Sequence, residues 1–226
     1  MIRWRHHCTR TWAIIIAKII GIKIQVQGPP PTPPFLLVSN HLSYIDIVVL
    51  MAHVQSRFVA KKEVESWPFL GPIVKSVQIL FIDRSNRKEV VLVNQKIATC
   101  LKDGDSILFF PEGTSSSGSD VLPLKPSLLQ YAAENNYPVH YASIAYHTPP
   151  KETPAHLSIC WWGEMNFFSH YMKLLEISRF YATLTFGSKP IQATDRKMLA
   201  AQLREAIRKN LFDKLQTFKT INHPDA

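Results

Sequence analysis

At 226 residues, 46% of them hydrophobic and 19% charged, the chain has enough apolar material for a sizeable core in one domain, which excludes a disordered or low-complexity protein. A formal charge of +9 favours polyanionic surroundings, whether an anionic bilayer, nucleic acid or a phosphorylated small molecule, and does not choose among them. Cys8, Cys100 and Cys160 stand far apart without C-x-x-C spacing, so neither a disulfide framework nor a metal site is expected, no cofactor is implied, and a reducing compartment fits.

The chain opens on Arg3, Arg5 and Arg10 and an apolar run from Trp12 to Ile24, which Lys18 interrupts and no small-residue cleavage site follows. A spanning helix needs about 20 predominantly apolar residues, so this segment is expected to lie in a membrane interface rather than cross it. The first acidic residue is Asp46, and a basic lead interleaved with Trp4 and Trp12 suits an anionic leaflet. A plain core helix with a basic start is the other reading.

Ile22 to Gln27 alternates as a strand, and the Pro-rich run from Pro29 to Pro34 is a stiff connector. Phe35 to Val38 reads as a short strand and Ile47 to Val54 as an apolar helix. Ser85 caps a helix carrying Val90, Val93, Ile97 and Leu101 until Gly104 ends it, and a buried strand from Ser106 to Phe110 comes next. Leu124 to Asn135 reads as helical, while Val139 to Tyr146, Leu157 to Trp162 and Phe180 to Phe186 read as strands, with a loop from His147 to Ala155. Thr194 caps a final helix whose apolar stripe is Leu199, Leu203, Ile207, Leu211 and Leu215. The alternation predicts a single α/β domain, a mixed β-sheet flanked by helices, with residues 1–27 as a membrane-associating segment plus first strand and 28–226 as the main domain.

Three segments carry chemistry. Asn40-His41-Leu42-Ser43-Tyr44-Ile45-Asp46 separates a histidine from an aspartate by four residues just past a strand. Five residues of helix turn roughly 500° and a strand would put the pair on opposite faces, so only a strand-to-helix turn can join them. In such a turn Asp46 accepts the Nδ1 proton and leaves Nε2 of His41 as a general base. Ser43 and Asp46 equally match the spacing of a helix-capping box, and the sequence leaves both readings open. Phe110-Pro111-Glu112-Gly113-Thr114 puts a carboxylate on a loop at the end of a buried strand, placed to meet a ligand or serving as turn chemistry. Phe81-Ile82-Asp83-Arg84 ends an apolar run on a guanidinium that can grip a phosphate or pair with Asp83.

The order and spacing of these blocks resemble the lysophospholipid acyltransferase family, typified by 1-acylglycerol-3-phosphate acyltransferases. The matching blocks are Asn40 to Asp46, Ile79 to Arg84, Phe110 to Thr114 and Tyr137 to His140, with further likeness at Phe58 to Glu63 and Trp67 to Gly71. The likeness spans residues 22–146, and residues 150–226 carry no motif. The resemblance implies direct transfer of a fatty acyl group from an acyl-CoA or acyl carrier protein thioester to the hydroxyl of a lysophospholipid, without an acyl-enzyme. It implies His41 as base and Asp46 as its orienting partner. Lys61 and Arg84 would bind acceptor phosphate, and Glu112, Gly113 and Thr114 would shape the acceptor site. It also implies a membrane-associated enzyme, peripheral or monotopic, on the cytoplasmic face.

One position departs from the pattern. Many relatives that use lysophosphatidic acid place an arginine after the Glu-Gly-Thr block, whereas this chain has Ser115, Ser116, Ser117 and Gly118. Lys125 can replace the lost charge and keep 1-acyl-glycerol-3-phosphate as acceptor, the assignment that Lys61 and Arg84 favour. Otherwise the site suits a headgroup without a phosphate dianion, such as lyso-ornithine lipid. Nucleic-acid binding is not expected, because zinc-finger spacing, an RNP-like strand and a GXXG loop are all missing. A catalytically silent membrane-binding protein would share the N-terminus but would have no need of His41 and Asp46.

Overall fold

The computed structural model describes residues 2–62, 79–82 and 87–222. The block ending at Arg84, the cap expected at Ser85 and the segment Trp67 to Gly71 lie outside the described residues. Seven strands form one mixed sheet: β1 (Ile22–Gln27), β2 (Leu36–Ser39), β3 (Arg57–Lys61), β4 (Leu80–Ile82), β5 (Ile107–Phe109), β6 (Val139–His147) and β7 (Phe180–Phe186), in the order β1-β7-β6-β2-β5-β3-β4. β6, β2, β5, β3 and β4 run parallel, and β7 with β1 runs against them. β2 and β5 are buried at every residue, which is why they read as unbroken apolar runs rather than alternating ones.

Two apolar layers cover the sheet. Phe35, Leu37, Leu108, Ile144, Phe180 and Leu184 face the layer of α1 (Ile2–Ile19), α2 (Ile45–Met51) and α6 (Phe167–Glu176), which contribute Ala13, Ala17, Val49, Leu50 and Leu174. Leu36, Val38, Ile107, Phe109 and Val139 face the other layer, built from α3 (Arg87–Lys102), the 3-10 turn Pro126–Leu129 with α4 (Gln130–Glu134), and α7 (Arg196–Asn222). Leu199, Leu203, Ile207 and Leu211 of α7 are buried there as the stripe predicts. Leu215's side chain lies outside the described residues.

Several expectations shift. The cap of α7 is Asp195 rather than Thr194, because Asp195 Oδ1 accepts from the N–H groups of Lys197 and Met198 at 2.9 and 2.7 Å. The strand expected over Leu157 to Trp162 is absent. Its first part is the single helical turn α5 (Ala155–Ser158), closed by Ile159 N–H donating to Ala155 O at 2.8 Å. The neighbouring β6 already has β2 and β7 on its two edges, so an apolar run beside it has no ladder to join. Helix α6, absent from the sequence-based elements, is capped by Asn166 accepting from Ser169 N–H at 3.1 Å. At the start of the chain, α1 ends in Gly21 at φ +73, where an added Cβ would overlap Ser178 O just beyond α6. β1 then lies on the sheet edge, paired in parallel with β7.

Candidate active site

In this parallel register, the C-terminal ends of β2, β5 and β3 stand side by side. Val38 and Val59 both pair with Phe109, so the residues just past each strand emerge at one level of one edge. The crevice beyond the carboxyl ends of parallel strands is where open α/β sheets place ligands. His41 leaves β2 there, Glu112 leaves β5, and Lys61 ends β3.

The H-x4-D segment makes the strand-to-helix turn. Asp46, fully buried at the start of α2, accepts four hydrogen bonds. Oδ2 takes His41 Nδ1 at 2.7 Å, Leu42 N–H at 2.7 Å and Ser43 N–H at 3.1 Å. Oδ1 takes the hydroxyl of Tyr146 at 2.7 Å. Backbone N–H groups can only donate, so Oδ2 acts as an acceptor, Nδ1 of His41 carries the proton, and Nε2 holds a free lone pair. The dyad and cap readings therefore merge in one carboxylate. The serine half of a capping box is missing, since Ser43 Oγ has no hydrogen-bond partner among the described residues. His41 is further fixed by stacking on Phe110, with ring centroids 4.2 Å apart and planes 11° from parallel.

Glu112 faces inward. It is 2% exposed, with Oε1 accepting His41 N–H at 2.7 Å and Oε2 accepting Leu122 N–H at 2.9 Å. It thus fastens the β2 turn to the loop that follows β5. The same loop is held by Ser116 N–H donating to His41 O at 2.9 Å and by Arg208 Nε donating to Asp120 Oδ1 at 2.9 Å. Gly113 takes φ +80 in the turn, a conformation that favours glycine. Lys125 N–H donates to Pro111 O at 2.8 Å, which brings Lys125 to the foot of this loop. Lys61, Thr114 and Lys125 are exposed, whereas Ser115 and Ser116 are buried. Arg84 lies outside the described residues.

Two residues complete the turn that sequence reasoning left without a role. Asn40 Nδ2 donates to Ile144 O at 2.9 Å and its Oδ1 accepts Ile144 N–H at 2.8 Å, a peptide-like pair that ties the end of β2 to β6. Tyr146 reaches Asp46 from 100 positions away. No local signal marks either pairing, because both depend on β6 lying beside β2.

Burial, and then the neighbouring Asp46, pushes the Tyr146 phenol well above 10, so it stays a donor. Tyr146→Phe is expected to leave Asp46 Oδ1 without a partner, costing about 1–3 kcal/mol of stability. With imidazole orientation loosened, kcat should fall roughly tenfold or more. Denaturant titration and steady-state kinetics on the same variant check both, and unchanged kcat would show that Asp46 is held without Tyr146.

For Glu112, burial raises the carboxyl from 4.5 to about 7 against the lowering effect of its two backbone donors. Over that interval the folded chain keeps a proton that the unfolded chain has lost. Its contribution to stability is fully present below about pH 4.5 and is lost as pH rises through about 7. Glu112→Gln should flatten that decline while lowering stability overall, because an amide N–H₂ then confronts a backbone donor. Thermal denaturation of both proteins across this pH range measures the difference in slope; parallel curves would contradict the shift.

With this geometry in view, comparison with known proteins places the chain. The family model described as Acyltransferase matches residues 23–147. The lyso-ornithine lipid O-acyltransferase of Rhodobacter capsulatus is 31% identical, over 92% of this chain and 77% of its own. The 1-acyl-sn-glycerol-3-phosphate acyltransferase of Neisseria gonorrhoeae is 29% identical, over 84% of this chain and 74% of its own. The crystal structure of the 1-acyl-sn-glycerophosphate acyltransferase of Thermotoga maritima shares the fold, with a TM-score of 0.63 at 21% identity over 95% of this chain and 78% of that one. The matched segment begins in β1, ends with β6 and holds the entire His41–Asp46–Glu112 assembly, and the chain belongs to the acyltransferase family.

Proposed function

We propose that this O-acyltransferase moves a fatty acyl group from an acyl-CoA or acyl carrier protein thioester to the free hydroxyl of a lysolipid, with His41 as general base. The observation that carries the reading is the 2.7 Å contact between His41 Nδ1 and Asp46 Oδ2, which leaves Nε2 as a proton acceptor. As the acceptor hydroxyl attacks the thioester carbonyl, its proton passes to Nε2. The C–S bond then breaks, and the thiolate takes the proton back from the imidazolium, which Asp46 stabilises meanwhile. Phe110 keeps the ring from rotating out of line, and Glu112 holds the backbone that carries it. Gly113 and Thr114 form the acceptor-side loop. The protein works on the cytoplasmic face of a membrane, which it meets through the basic, acid-free helix α1. Among the described residues no helix is long and apolar enough to cross a membrane.

His41→Ala should lower turnover roughly 10²- to 10⁴-fold with little change in melting temperature. A thioester-consumption assay against a panel of lysolipids measures this, and near-normal turnover would remove the mechanism.

For the acceptor, the buried Ser115 and Ser116 and the tether from Ser116 to His41 favour a headgroup without a phosphate dianion, and lyso-ornithine lipid is the leading candidate. A serine offers a hydroxyl and no charge where a guanidinium would supply a fork. The second reading is 1-acyl-glycerol-3-phosphate, favoured by the exposed Lys61 and Lys125 and, in the sequence, by the block ending at Arg84. Side-by-side kcat/KM values for the two acceptors separate the readings. Preference for lyso-ornithine lipid in the parent, moving toward the phosphate acceptor in Ser115→Arg, is expected; a parent that prefers the phosphate selects the second reading.

A further inference from the structure

The segment from residue 150 onward carries no family motif, yet part of it is built onto the catalytic turn. Trp161 N–H donates to Leu42 O at 2.8 Å, between His41 and Asp46. The hydroxyl of Tyr44 meets His170 Nδ1 at 3.1 Å, and His170 Nε2 meets Cys160 O at 3.1 Å. A carbonyl only accepts, so Nε2 carries the proton and Nδ1 accepts from Tyr44. Burial holds His170 below its ordinary range, which keeps it neutral in this chain of bonds. Phe167 closes the cluster with ring centroids 5.1 Å from Tyr44 and 6.1 Å from Trp161.

The outer side of the same unit is apolar. Phe168, Tyr171, Met172 and Leu175 recur at i, i+3, i+4 and i+7 along α6, all exposed, Phe168 at 62%. Leu157 and Trp162, on α5 and just after it, are exposed as well. Leu174, on the opposite side of α6, is fully buried in the core, so the helix has one apolar face inward and another outward.

We propose that the α5–α6 unit is a bilayer-docking element that inserts this outer face into the interface of an anionic membrane and seats the catalytic turn beside it. Three observations select a lipid surface as occupant. First, α1 lies on the same face of the sheet as α6, and the chain just past each helix meets where Gly21 abuts Ser178 and Phe180 N–H donates to Gly21 O at 3.3 Å. α1 adds Trp4 at 75% and Ile19 at 70% exposure. Second, α1 bears Arg3, Arg5, Arg10 and Lys18 and no acidic residue, which complements an anionic leaflet. Third, the patch mixes Trp162 and Tyr171 with aliphatic and Phe side chains, the composition that settles at the headgroup level. The inference rests on the reading that the acceptor is a lipid, which must reach His41 from a bilayer.

The test uses the full-length chain and mixed phosphatidylcholine–phosphatidylglycerol vesicles. Phe168→Gln/Met172→Gln/Leu175→Gln should weaken vesicle binding roughly 100-fold at unchanged melting temperature, since the replaced side chains are exposed. Val91→Gln/Leu92→Gln, which alters exposed apolar residues of α3 on the far face of the sheet, should bind as the parent does. The triple variant should lose kcat/KM on vesicle-embedded acceptor and keep it on a short-chain acceptor below its micellar concentration. In the unaltered protein, vesicles should slow hydrogen exchange over residues 155–176, a readout that needs no variant. Parent-like binding by the triple variant, unprotected exchange there, or a patch that analytical ultracentrifugation shows to be buried between two copies would each overturn the proposal. Vesicle binding and exchange are read without turnover. A protein that docks as described but transfers no acyl group would overturn the catalytic reading and leave the docking surface standing.

Discussion

The arrangement around His41 depends on one buried carboxylate. Asp46 takes donors from the turn that precedes it and from a strand 100 residues away, and it has no access to solvent. A carboxylate removed from water is tolerated only when hydrogen bonds replace its hydration. Here the four donors that make it tolerable also set the turn, fix the imidazole tautomer and join α2 to β6. Stabilising the turn and orienting the imidazole are a single interaction, so capping the helix and holding His41 do not compete for this residue.

The parallel sheet turns that interaction into a site. Because β2, β5 and β3 run in the same direction and in register, their C-terminal ends stand at one edge, and a second buried carboxylate, Glu112, stitches the segments leaving β2 and β5 together through backbone N–H groups. Both acidic side chains spend their hydrogen-bonding capacity on the protein's own backbone and side chains. The serine loop is drawn toward the turn by its backbone and toward α7 by Asp120, so its shape is imposed from both ends.

The polarity of the molecule follows from which face each helix covers. α1, α2 and α6 share one side of the sheet, and Tyr44 and Leu42 of the turn between His41 and Asp46 are bonded directly to the α5–α6 unit there. The exposed apolar side chains of α1 and α6 thus lie on the side from which the turn is buttressed. α3, α4 and α7 close the other side around an aliphatic core with buried Leu199, Leu203 and Ile207.

Much of this was legible in the residues. The unbroken apolar runs of β2 and β5, the stripe of α7 and the His41 to Asp46 spacing are local patterns, and each arises from periodicity or reach along a few residues. Leu157 to Trp162 misled for the same local reason: an apolar, aromatic run has strand character, but a strand needs a free edge, and β6 had none. The sequence left Glu112 open between a ligand contact and turn chemistry, because a carboxylate after a strand looks the same in sequence whether it meets a ligand or a backbone amide; its two backbone contacts come from the fold. Sequence alone determined the family blocks, the α/β alternation and the need for a turn at residues 40–46. Only the tertiary structure decided that Tyr146 and Asn40 complete that turn, that Glu112 points inward and that α6 keeps an apolar face outward. These depend on which strands become neighbours, and neighbours are chosen by packing across the whole sheet rather than by any short stretch of chain.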